Sequence, residues 1–316
     1  MKKPKSLLRR ILVFTLSLVV LTGIVMQTVD AVYYSPFRQY DESALAFNAI
    51  VQLLTPSVTF AFIAEYDHGT PKQLSHYTQR FVLERFSYAG AETKNEGCLE
   101  YRFSKAKLIE YTNRLQLDSV PLSQRIFMEP KQTVSDSIWQ TVPLDESRFF
   151  EVWFAFKSPI STAQLFEDYA PLLRNELSRP ENRGVFWIPI QTSDDPDDIC
   201  VGMAGNFSWF YMGNPRGYPA IQQLFDADNI AHEERFRQCL KYLVDHEQDS
   251  EIFLDSGFFG ENLCLDISQK LSFVEQNGMS CLGFVAYMNG KSLDDYRNNS
   301  DLLIVKIRED IPIEID

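Results

Sequence analysis

Residues 148–157 read RFFEVWFAFK. Spaced at the period of two that a strand imposes, Phe150, Val152, Phe154 and Phe156 fall on one face, with Phe149 and Trp153 on the other. Aromatic residues on both faces predict a strand in a sheet covered from both sides. Ser158-Pro159 breaks the run. In the following STAQLFEDYAPLLRNELS (161–178), Ser161 and Gln164 have the spacing of a capping box. Leu165, Tyr169, Leu172 and Leu173 form the stripe of a helix that Pro171 is expected to kink.

Further along, GVFWIPIQT (184–192) predicts a strand, and the polar loop SDDPDD (193–198) follows it. Two amphipathic helices come next. One carries Phe236, Leu240, Leu243 and Val244; the other carries Leu263, Ile267, Leu271 and Val274 and ends at Asn277-Gly278, a C-cap signature. SCLGFVAYM (280–288) and LLIVKI (302–307) are apolar runs with the length of buried strands, and a short helix or turn, SLDDYRNN, separates them. The order β-α-β-α-α-β-α-β predicts a layered α+β unit over 141–316.

On the N-terminal side, residues 57 to about 130 read as mostly β. Short aromatic and branched runs (57–66, 76–90, 98–111 and LSQRIFMEP, 122–130) alternate there with Gly, Asn, Asp and Pro clusters. Before them, SALAFNAIVQLLTP (43–56) spaces Leu45, Phe47, Ile50, Val51 and Leu54 as a helical stripe, expected to pack on this first β-rich domain, 33–140.

From Ile11 to Val29 no residue is charged, and at ~1.5 Å per residue that run nearly matches a hydrocarbon core of ~30 Å. The expected membrane anchor, 11–32, is built from Ile11, Leu12, Val13, Phe14, Leu16, Leu18, Val19, Val20, Leu21, Ile24, Val25 and Met26. Lys2, Lys3, Lys5, Arg9 and Arg10 precede it, so the charge bias puts residues 1–10 in the cytoplasm and the C-terminus outside. Tyr33, Tyr34 and Phe37 then fall where interfacial aromatics belong, ahead of Pro36 as a helix stop. The competing reading is a cleaved export signal with Val29-Asp30-Ala31 as its site, although the run exceeds the ~7–15 residues of a signal core.

Charge agrees with export. Lys and Arg number 30 against 43 Asp and Glu, and five of the 30 precede Ile11, leaving a balance of −18 from there on. Such a body repels nucleic acid and anionic lipid, which argues against a DNA- or RNA-binding role. Five scattered cysteines, Cys98, Cys200, Cys239, Cys264 and Cys281, make no disulfide framework and read as buried apolar residues, the competing reading being one pair oxidised outside the cell.

No catalytic motif survives inspection. HEERF (232–236) lacks the second histidine of a zinc clamp, so His232 reads as a solvated residue in a first helical turn. His68, His76 and His246 share no ligand spacing. MNGKS (288–292) has Val285 where a phosphate-binding loop needs glycine, so Gly290 reads as a turn residue. Asp194, Asp195, Asp197 and Asp198 are followed by Ile199 and Cys200 rather than by a calcium-loop Asp/Asn-Gly pair, and read as a solvated acidic loop. No cofactor or metal is expected. The class competing with a binding module is an exported enzyme acting on cell-wall or peptide material, which requires a cleft with convergent polar groups.

Residues 144–310 resemble the C-terminal domain of bacterial sigma factor regulators. Phe150, Val152, Phe154 and Phe156 match that family's strand, and Ser158, Pro159 and Ser161 its break and helix start. Asn277, Gly278, Gly283, Val285 and Gly290 match its closing segment. The resemblance implies a membrane-bound regulator of an extracytoplasmic-function sigma factor. Residues 1–10 are too few to build a domain that encloses a sigma factor. The expected role is therefore accessory, with another single-span membrane protein as partner rather than the sigma factor itself.

Overall fold

The computed structural model describes residues 4–33, 46–47, 49–55, 58–63, 76–85, 94–102, 105–111, 122–130, 148–169, 184–204, 229–254, 263, 265–297 and 299–310. Mixed helices and antiparallel sheets make it an α+β protein.

Helix α1 runs from Pro4 to Tyr33, about 45 Å at ~1.5 Å per residue. Its continuously described side chains span 12–25 and are all exposed. Among the described residues no helix is long and apolar enough to cross a membrane. The side chains of Ile11 and Met26, and the aromatic belt beyond Tyr33, lie outside the described residues.

A second helix, α2, covers 46–47 and 49–54, and its apolar residues from Ala46 to Leu54 are 0–1% exposed. They belong to the cluster beneath the C-terminal sheet, with the Phe47 ring 4.6 Å from that of Phe253. Trp187 Nε1 donates to the Gln52 carbonyl at 3.0 Å. Among the described side chains this helix packs on the second unit; the side chains of the first β-rich domain, on which its position in the chain led us to expect it, lie outside the described residues.

Four strands follow, β1 (Val58–Ile63), β2 (His76–Arg85), β3 (Lys94–Arg102) and β4 (Lys105–Tyr111), paired in sequence order as an antiparallel meander. LSQRIFMEP does not continue it. After one bridge between Ser123 and Ile199 it turns into the short helix α3, Arg125–Met128.

The second sheet has the order β7-β6-β8-β5-β9, with every pair antiparallel. Its strands are β5 (Phe149–Ser161), β6 (Gly184–Ile190), β7 (Val201–Ala204), β8 (Ser280–Asn289) and β9 (Leu302–Asp310). β5 lies between β8 and β9, and the expected two-sided covering is realised. Phe150, Val152, Phe154 and Phe156 enter the main core, while Phe149, Trp153 and Ala155 enter a separate cluster on the opposite face with Phe127, Trp187 and Tyr287. Pairing with β8 is interrupted between Ala155 and Ile160, which accommodates Pro159 where no ladder hydrogen bond is needed.

Ser161 caps α4 (Thr162–Asp168) by accepting from Gln164 N at 3.2 Å, as its spacing predicted. Leu172, Leu173 and Pro171 lie outside the described residues. The main core is closed by α5 (Asn229–Asp245), α6 (Glu247–Leu254) and α7 (Ile267–Asn277). Gly278 ends α7 at φ +78°, a left-handed conformation that a glycine adopts without strain. Gly290 is not a turn residue: it opens α8 (Gly290–Arg297), its N–H bonded to Arg148 O at 3.1 Å.

Candidate functional site

The acidic loop that follows β6 is the most heavily bonded polar feature among the described residues. It is not simply solvated. Asp198 Oδ2 lies 2.7 Å from Lys270 Nζ, and that ammonium also donates to Ile199 O at 2.8 Å and to Thr192 Oγ1 at 3.4 Å. Lys270 is 2% exposed, so all three acceptors replace water that the side chain gave up on burial. It sits on α7 between Ile267 and Val274, on the buried stripe.

The segment 122–130 is clasped onto this loop. Its backbone bridges the loop through Gln124 N to Asp198 O at 2.9 Å and Cys200 N to Leu122 O at 2.5 Å. Gln124 is fully buried; its Oε1 accepts from Thr192 N at 3.1 Å and its Nε2 donates to Asp195 O at 3.4 Å. Ser123 Oγ donates to Pro196 O at 2.7 Å. Arg125 makes a two-pronged contact with Asp197, Nε to Oδ1 and Nη2 to Oδ2, both at 2.7 Å, and also pairs with Glu129. The hydrogen bonds from Arg125 hold the exposed Asp197 carboxyl below its usual range. Two residues after Arg125, Phe127 is 1% exposed, its ring 6.0 Å from Trp153 and 6.4 Å from Trp187. Trp153 in turn donates to Glu151 Oε1 at 2.8 Å, and Lys306 Nζ stands 4.9 Å from its ring.

Each contact in this clasp is made to the chain's own segment 122–130. The arrangement offers a backbone donor and acceptor, a slot for a side-chain amide, a carboxylate for a guanidinium and an indole-lined pocket for an aromatic ring. Sequence reasoning missed Lys270 and Gln124, although a lysine three residues after Ile267 and four before Val274 lies on the apolar stripe and signals a buried charge.

The other expected positions are dispersed. His232 is 2% exposed rather than solvated, because its ring packs 4.8 Å from Phe166 between α4 and α5. Next to it, Glu233 accepts from Thr162 Oγ1 and from Arg237 Nη2 at 3.0 Å. Cys200, Cys239 and Cys281 are free and buried, as expected of apolar cysteines. Burial pushes all three thiols up, that of Cys239 to about 12, so none is a thiolate nucleophile near neutral pH. The side chains of Cys98, Cys264, His68 and His76 lie outside the described residues. Among the described residues no group of three or more His, Cys, Asp or Glu is placed to hold a metal ion. The anchor positions from Leu12 to Val25 lie together on α1.

Comparison with known protein families, with characterised proteins and with solved structures finds no match to this chain.

Proposed function

We propose that this protein is a membrane-anchored extracytoplasmic sensor or interaction module, accessory to the control of an extracytoplasmic-function sigma factor. One observation carries the anchoring. All the large apolar side chains exposed among the described residues, from Leu12 at 65% to Val25 at 53%, lie on α1. They cover every side of it, since successive residues advance by ~100°, and a helix apolar all round needs an apolar surrounding on all sides. Its hydroxyls suit such a surrounding: Thr22 and Thr28 each donate to the carbonyl four residues back, at 2.7 Å.

The sigma-regulator reading rests on the pattern of β5, the Ser161 helix start and the Asn277-Gly278 closing segment. Interaction rather than catalysis is favoured by the clasp, whose polar atoms are engaged in holding a peptide segment. The test is fractionation of cells expressing the full chain, with an epitope at the C-terminus. The expected result is retention in membranes after an alkaline carbonate wash, and loss of the epitope when intact cells meet protease. Release by the wash, or a protected C-terminus, overturns the proposal.

A further inference from the structure

The segment Leu122–Glu129 sits on the second sheet as a bound peptide would, and we propose that its seat is a peptide-recognition groove which the chain fills in cis. The partner it fits is a protein segment of the same chemistry, a Ser that makes one bridge followed by Gln-Arg entering a helical turn that presents an aromatic ring three residues after the amide. This inference names the partner chemistry of the interaction module above and rests on that reading only for its biological use.

Each part of the groove recognises one feature. Asp198 O and Cys200 N pair with backbone, as a strand edge does in β-augmentation. Thr192 N and Asp195 O bracket both ends of one carboxamide, a match that neither a carboxylate nor an ammonium makes. Asp197 is exposed and set for a guanidinium, and its two-pronged geometry favours arginine over lysine. Trp153 and Trp187 take the ring.

Several wall residues are also held from elsewhere in the chain. Thr192 and Asp198 are tied down by Lys270 from α7. Trp187 is held through its indole N–H by α2, and Trp153 by Glu151. The main core contains no residue of 122–130; the smaller cluster on the opposite face does, with Leu122 and Phe127 among its buried members, and it is the apolar surface that the groove offers an occupant.

A fluorescent peptide of residues 120–130, titrated by anisotropy against the detergent-solubilised full chain, tests this. Phe127→Ala in the chain loosens the cis segment and leaves the groove intact. A groove occupied in cis shows an apparent affinity lowered by the fraction left open, so the variant is expected to bind the peptide at least about tenfold more tightly than the natural chain. Scrambling the peptide, or replacing its Gln or Phe by Ala, is expected to abolish binding. Should Phe127→Ala fail to fold by near-UV circular dichroism, Arg125→Glu, an exposed change that sets a carboxylate against Asp197, serves as the loosened chain. Absence of saturable binding to a folded variant, or equal binding of the scrambled peptide, overturns the proposal. Neither outcome touches membrane retention, which is read separately by fractionation.

Discussion

Asp198 and Lys270 make an asymmetric pair, and the asymmetry predicts which partner matters more. Lys270 is 2% exposed, whereas the side chain of Asp198 is 29% exposed. Asp198→Asn leaves an ammonium inside the protein with only neutral acceptors, the Ile199 carbonyl, the Thr192 hydroxyl and the amide oxygen of the new side chain. Breaking a buried pair in this sense costs about 3–5 kcal/mol. Lys270→Met removes the buried charge itself, keeps most of the apolar stem, and leaves a carboxylate that water reaches. Its cost is the net worth of the charge-assisted hydrogen bonds, about 1.5–3 kcal/mol. The double variant is then expected to be more stable than Asp198→Asn alone, because no uncompensated ammonium remains. Equilibrium denaturation of the full chain in detergent, followed by near-UV circular dichroism, gives the three differences against the natural chain. If Lys270→Met costs as much as Asp198→Asn, or if the double variant is the worst of the three, the reasoning from burial is wrong.

Two other predictions concern neighbouring features. Gly283→Ala is expected to prevent correct pairing of β8 with β5, since a Cβ there would fall on the Phe154 carbonyl oxygen; loss of the cooperative unfolding transition is the readout, and a near-native midpoint would refute the register. The folded pKa of Asp197 lies below its unfolded value, so its pairing with Arg125 contributes stability above the ordinary carboxylate range, and this is lost as pH falls through the folded pKa. Protection of the 122–130 amides against hydrogen exchange, taken relative to the intrinsic rate at each pH, is expected to fall on that descent, and Asp197→Asn to flatten that part of the profile; a profile unchanged by the substitution would assign the effect to another group.

What was legible in the sequence was local. The two-sided alternation of β5, the Ser161 cap and the Gly278 cap each depend on residues at most a few positions apart, where backbone geometry alone sets which groups meet. The apolar helix at the start belongs with them, because nineteen uncharged residues from Ile11 need no partner to be recognised. Misreadings arose where contacts span the chain. LSQRIFMEP has the composition of a strand, yet only one bridge forms before Gln124 is drawn into the loop and the chain turns helical. His232 looked solvated because nothing in HEERF shows that Phe166 will lie against it.

By itself, then, the sequence determined an α+β chain with an apolar helix at its start, a doubly covered central strand and capped helices, because periodicity and capping act within one or two turns of backbone. Only the tertiary structure decided that α2 belongs under the second sheet, 135 residues from the indole that bonds it, and that an acidic loop closes on a lysine 72 residues away. Those pairings follow from strand order and from the demand that every buried polar group find a partner, and neither is written in any local run of residues.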